Sequence, residues 1–175
     1  MDFFSSEEIV ASLGDKAKMK GKLSFVRLCI LGIMAGFCIA LGYLAFIRIT
    51  GTAPTEWGSF NNFLGGALFP VGLIALTFVG GEIATGNMMV MTLGVLQKKV
   101  RVGTLCYNWL VVLLTNCLGG FLVAYLFGHI VGLTEGAFLD KTVAVAQAKI
   151  ADPPLVAFVS GIGCNIFVCL AVYLG

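Results

Sequence analysis

Glu82 and Thr85 fall inside Gly80-Gly81-Glu82-Ile83-Ala84-Thr85-Gly86-Asn87, near the middle of the otherwise apolar run Phe63 to Leu96. A carboxylate in such a run is costly to bury and by default marks a functional site. A threonine hydroxyl can donate to a ligand without adding charge. Irregular backbone at membrane depth persists only where protein buries it or a water-filled cavity meets it. A half-helix beginning near Thr85 to Asn87 would aim unpaired N–H groups and the positive end of its dipole at that depth. Such an end attracts anions. Glu82 would repel an anion on its path, so the carboxylate is expected to turn away and pin loop N–H groups. The competing reading is a cation path with Glu82 as ligand. The physics favours the anion.

Three other polar groups stand out. Lys149 precedes the last apolar run. On composition it is an ordinary solvated loop lysine; in an outer vestibule it would raise the local anion concentration. Asn165, inside that last run, needs buried partners. The single histidine, His129, falls at the end of an apolar run and reads as an interfacial imidazole. The six cysteines lie in apolar segments without a Cys-x-x-Cys pair, so no metal site or cofactor is expected. They read as small buried hydrophobes.

These residues need membrane helices to position them. The 175 residues are 59% hydrophobic and 11% charged, with a mean hydropathy of +1.00. Soluble domains carry about 25% charged residues. The fold class is an all-α integral membrane protein, and a net charge of +2 argues against nucleic acid. Residues 1–24 form a polar segment in which Ser5 and Glu8 match a capping box. Ile9, Val10, Leu13 and Ala17 predict a short amphipathic helix on the membrane surface. Lys16, Lys18, Lys20, Lys22 and Arg27 read as a topology signal rather than a lipid site. Residues 25–175 form the transmembrane domain, opening with a helix over Leu28 to Ile47 whose Gly32, Gly36 and Ala40 permit close packing. Thr50 to Asn62 reads as a loop with Trp57 at the interface. A third helix is predicted over Thr104 to Leu133, with Asn116, Gly120, Ala124 and Gly128 on one stripe. Thr134 to Asp152 reads as a polar connection. A fourth helix follows with Asp152 as N-cap and Pro153 in its first turn.

As one helix, Phe63 to Leu96 would extend about 50 Å, against a hydrocarbon core of about 30 Å. It is either two short crossings or one interrupted crossing. One crossing puts the basic clusters at residues 16–27 and 98–101 on the same side, in keeping with the positive-inside rule and a cytoplasmic N-terminus. One interrupted crossing is the reading that follows. Transporters pair such helices through inverted repeats, and a single one is present, so the chain is expected to be the N-terminal portion of a longer protein.

Gly80 to Asn87 resembles the signature that the formate/nitrite transporter family carries on its broken second helix. Cys164-Asn165-Ile166-Phe167-Val168-Cys169-Leu170-Ala171-Val172 resembles the fourth-helix signature of that family. Asn108-Trp109, Asn116 and Gly119-Gly120 resemble its third helix. The resemblance implies an aquaporin-like broken-helix protomer, four of an expected six helices being present, assembled as a pentamer with a pore in each protomer. It implies a channel for formate, nitrite or hydrosulfide, passive or proton-coupled, in a bacterial inner membrane. Thr85, Glu82, Ala84, Asn165 and Lys149 match the family's pore positions, which makes Lys149 a vestibule residue. Phe69, Leu73, Ile83 and Val168 match apolar constrictions. Ala84 departs from the bulky phenylalanine of many members, so the constriction is expected to be wider. The histidine-bearing fifth helix is not part of the sequence, and His129 does not replace it.

The rival readings are three. A neutral-solute channel of the aquaporin type would need paired Asn-Pro-Ala boxes, whereas Asn87 is followed by Met88. A redox membrane subunit would need more than one histidine. A non-conducting truncated fragment is the third.

Overall fold

The computed structural model describes residues 5–174; Met1 to Phe4 of the N-terminal segment, and Gly175, lie outside the described residues. Among those described, every regular element is helical. Helix α1 spans Ser6–Lys20, and its capping box is closed: the Ser5 N–H donates to Glu8 Oε2 at 2.7 Å and the Glu8 N–H to Ser5 Oγ at 3.3 Å. That satisfies two donors the helix would otherwise leave open. Helix α2 (Phe25–Thr50) starts on Ser24, whose hydroxyl accepts from the Arg27 N–H. The chain then forms α3 (Ser59–Leu68), α4 (Pro70–Val79), α5 (Ala84–Leu96), α6 (Val102–Val123), α7 (Leu139–Ala151) and α8 (Pro154–Leu174). A π-helical turn over Ala124–Ile130 extends α6.

Among the described residues, four stretches are long and apolar enough to cross a membrane: Phe25–Thr50, Ser59–Val79, Val102–Ile130 and Pro154–Tyr173. Phe69 keeps helical angles between α3 and α4, so the two form one run whose ladder is interrupted where Pro70 lacks an N–H. The run opens at Ser59, so its first turn occupies sequence expected to be loop.

Small residues set the spacing of the bundle. A Cβ on Gly36 would overlap the Asn116 backbone, one on Gly119 would overlap Ile33 and Phe37, and one on Gly32 would strike Thr115. Helices α2 and α6 therefore touch backbone to backbone, the close approach that small residues allow in lipid. The run α3–α4 descends the other face of α2. Gly65 lies beside Phe46 and Thr50, Gly72 beside Cys38, and Gly81 beside Ala35. Beyond the break α5 continues the same way, with Asn87 level with Asn108 of α6 and Gly94 against Ala17 of α1.

Three expectations are corrected here. Leu13 and Ala17 of α1, expected to face a membrane surface, are buried instead with Val90, Met91 and Leu105, because α5 offers a complementary apolar stripe. The connection Thr134 to Asp152 holds α7, whose Asp140 and Lys149 complement its dipole at the two ends. Asp152 does not cap α8. The first carbonyl of that helix is Pro153, which accepts from the Ala157 N–H at 2.9 Å.

Beyond its apolar face, α1 is tied down by Gln97, whose amide donates to the Val10 carbonyl at 2.7 Å, and by Lys99, which pairs with Asp15 at 2.8 Å. The Lys99 hydrogen bond, then its charge, holds the Asp15 carboxyl below its ordinary value of 3.8. A lowered folded value means the pair helps docking above 3.8 and loses its effect as pH falls further. A spin label at Lys16 is expected to gain mobility below that pH, and Asp15→Asn to show the same mobility at pH 7.

Candidate functional site

The break between α4 and α5 is built by backbone geometry. Gly80 ends α4 in the left-handed region at φ 72°, where its own N–H reaches the Thr77 carbonyl and the Gly81 N–H the Leu76 carbonyl. Glycine takes that conformation without strain, and it closes the helix end. The next N–H, of Glu82, leaves its own helix and donates to the Leu31 carbonyl of α2 at 3.1 Å. Asn116 then receives the turn. Its Nδ2 donates to the carbonyls of Glu82 (2.9 Å) and Gly32 (2.8 Å), and its Oδ1 accepts from the Ala84 N–H (2.8 Å). The loop is thus pinned by Asn116, a task the sequence alone assigns to the Glu82 carboxylate.

Glu82 is turned away from the cavity, into a buried polar cluster. Its Oε1 accepts from Lys20 Nζ at 2.6 Å and its Oε2 from Asn87 Nδ2 at 2.7 Å. Lys20 also donates to Asn87 Oδ1 at 3.0 Å, and Asn87 Nδ2 to Asn108 Oδ1 at 2.9 Å. Glu82 is 5% exposed, so its charge is tolerable only with this partner. In sequence Lys20 is one member of a basic cluster. The signal that singles it out is register: of the four lysines, Lys20 continues the Leu13–Ala17 stripe at helical spacing.

Helix α5 begins without a side-chain cap. The Ala84 N–H is taken by Asn116 and the Asn87 N–H by Ile83, while those of Thr85 and Gly86 have no partner among the described residues. The Thr85 hydroxyl is buried and equally unpartnered. Three donors at the positive end of one helix are left open. That arrangement fits a small anion.

A cavity of about 600 Å³ lies between α2, α6, the π-helical turn and α7. Its wall is almost wholly apolar, with Ile39, Tyr43, Ile47 and Val123, and it includes Ile83, Asn116 and Lys149. Lys149 and Ile83 therefore share one space. The other expected positions do not line it. Ala84 is buried against Leu28 and Val112, so a larger side chain there meets core rather than an open path. Phe69 packs edge-on against Tyr43, with ring centres 5.8 Å apart, and Leu73 lies on the same run. Asn165 donates to the Gly161 carbonyl of its own helix at 2.8 Å, and Val168 is on that same helix, α8. His129 pairs with Glu135 at 2.9 Å in an exposed position. Among the described residues no cluster has the make-up of a metal site.

The comparisons with known proteins bear on this geometry. A family model described as formate/nitrite transporter matches residues 7–175. The chain belongs to the formate/nitrite transporter family. Similar relatives include the transporter YrhG of Bacillus subtilis, 45% identical, and the formate channel BtFdhC of Bacillus thuringiensis, 41% identical. Each alignment covers 99% of this chain, and 66% and 67% of the respective relative. The chain spans about two thirds of the length of these relatives. A solved structure titled FNT family ion channel superposes with a TM-score of 0.89 at 25% identity, over 96% of this chain and 68% of that one. Membership in the formate/nitrite transporter family places the helical assembly among membrane transporters and channels.

Proposed function

We propose that this chain is the larger part of a channel for small monovalent anions, with formate as the first ion to test. The observation that carries this reading is the open donor set of Thr85 and Gly86 beside a carboxylate already neutralised by Lys20. A cation path would need Glu82 facing the cavity, and both of its oxygens are occupied elsewhere. Formate comes first because a relative at 41% identity is named a formate channel; nitrite and hydrosulfide remain in the same chemical class. The apolar wall suits passage of the protonated acid, since the neutral form costs far less to desolvate. Such coupling would make the channel proton-linked under acid conditions.

In this reading Phe63 to Leu96 is one interrupted crossing, the N-terminus is cytoplasmic, and the protein sits in a bacterial plasma membrane. The remaining helices of an aquaporin-like six-helix protomer close the cavity, Phe69, Leu73, Ile83 and Val168 narrow the path, and five protomers assemble. The exposed apolar faces of α4 and α8, such as Ile74, Phe78, Phe158 and Phe167, fit burial against those neighbours.

The test is stopped-flow uptake by vesicles holding the full-length protein, with formate, nitrite, hydrosulfide and glycerol compared. Anion uptake without glycerol uptake supports the reading. Glycerol uptake at the same rate would replace it with a neutral-solute channel. Lys149→Ala is expected to lower formate uptake about threefold at low ionic strength and less at about 0.5 M salt, because a vestibule charge acts through a screened field. Equal uptake by both proteins at low salt would remove Lys149 from the path.

A further inference from the structure

We propose that Asn116 is the positioning residue for Ile83, and that it thereby sets the size of anion the cavity passes. The inference rests on the channel reading above. Ile83 stands between two helices with extended angles, φ −99° and ψ 135°; its carbonyl opens the α5 ladder by accepting from the Asn87 N–H at 2.9 Å, but its own angles are those of neither helix. Both peptide groups that flank it are held by one side chain. The Glu82 carbonyl accepts from Asn116 Nδ2 at 2.9 Å, and the Ala84 N–H donates to Asn116 Oδ1 at 2.8 Å. A side-chain amide here does what a neighbouring strand does for an extended residue. The second Nδ2 proton goes to the Gly32 carbonyl at 2.8 Å, which ties the clamp to α2.

Ile83 and Asn116 line the same cavity. With its two peptide planes fixed, the Cα–Cβ bond of Ile83 has one direction, toward the cavity it lines. The amide is the group that meets all three demands, because it offers two donors and an acceptor in one plane. A carboxylate lacks the donors. The glycines of α2 bring α6 close enough for the reach. Removal of the clamp should leave the helices in place and free Ile83.

The experiment measures formate and lactate uptake by vesicles containing the full-length protein, with selectivity taken as the ratio of the two rates. The two acids have similar strength, so the ratio is insensitive to bulk protonation. Asn116→Ala is expected to lower the ratio at least about fivefold, as the net worth of two hydrogen bonds is lost from the constriction. Ile83→Ala should lower it comparably, and the double variant no further than either alone. Asn116→Asp gives an independent arm. At pH 7 its carboxylate accepts but cannot donate, and the ratio falls; near pH 4 the protonated acid regains a donor, and the ratio recovers toward wild type. A purely structural role for Asn116 predicts no such recovery. A wild-type ratio in Asn116→Ala, or an effect that adds to that of Ile83→Ala, overturns the clamp while leaving the channel reading intact. If Asn116→Ala does not assemble, a pH-independent ratio in Asn116→Asp overturns it. A wild-type protein that passes neither anion overturns the channel reading itself, and the clamp's role with it.

Discussion

Gly36→Val is expected to stop the bundle from assembling, whereas Gly120→Ala is expected to be tolerated or mildly stabilising. Both glycines sit inside apolar helices, α2 and α6, so intrinsic propensity alone would favour replacing either one, by up to about 1 kcal/mol for alanine. Their surroundings differ. The Cβ at Gly36 would fall on the carbonyl oxygen, carbonyl carbon and Cα of Asn116, whereas nothing lies within 4 Å of a Cβ at Gly120, which faces the cavity. Side-chain ends can rotate away from a clash; backbone cannot. Overpacking of a core usually costs about 1–3 kcal/mol, and an obstacle made of backbone puts Gly36→Val at or above the top of that range. The strain also falls on the residue that holds the break, since separation of α2 from α6 pulls Asn116 from the Gly32 carbonyl. Size-exclusion chromatography and a thermal melt of the detergent-purified, full-length protein check this directly. Equal melting temperatures for the two variants would mean that α2 and α6 do not approach through Gly36.

How far the sequence reveals this architecture depends on how local each feature is. The capping box at Ser5 and Glu8 is readable because all its atoms lie within one turn. The break at Gly80 to Ile83 is readable because a carboxylate and paired glycines contradict an apolar surrounding. The π-helical turn leaves no comparable mark. Helix α7 escapes notice because Asp140, Lys141 and Lys149 make Thr134 to Asp152 look like loop, although its alanines favour a helix and no glycine or proline interrupts it. Ala84 is expected at a constriction because the resemblance places it where many family members carry a bulky phenylalanine. Its direction follows from α2 and α6, which place Leu28 and Val112 over it. Asn116 falls on the correct stripe of α6, but a stripe does not tell which backbone groups an amide will reach. Lys20 is harder still. Its partner is 62 residues away, and only the docking of α1 on α5 joins them.

That ion pair carries the second large expectation. Lys20→Met should cost the full-length protein about 3–5 kcal/mol, because it leaves the Glu82 charge buried without its partner. Glu82→Gln should cost less. The Lys20 side chain is 21% exposed and keeps some access to water, whereas that of Glu82 is 7% exposed and has none to spare. The neutral amide introduced by Glu82→Gln would also still accept from Asn87, which in turn holds Asn108. The combination Lys20→Met with Glu82→Gln removes both charges and is expected to recover most of the loss, a coupling of about 2 kcal/mol or more. Amide exchange locates the effect. Lys20→Met should raise exchange in α1 and in residues 80–87 together, since the lysine is the tie between them, and leave the C-terminal half of α2 unchanged. An additive pair of substitutions, or faster exchange confined to α1, would show that Lys20 is only a surface cation near the break. With coupling, the polar cluster becomes the means by which α1, through Lys20, holds the Glu82 carboxylate against Asn87 and so fixes the residues of the break.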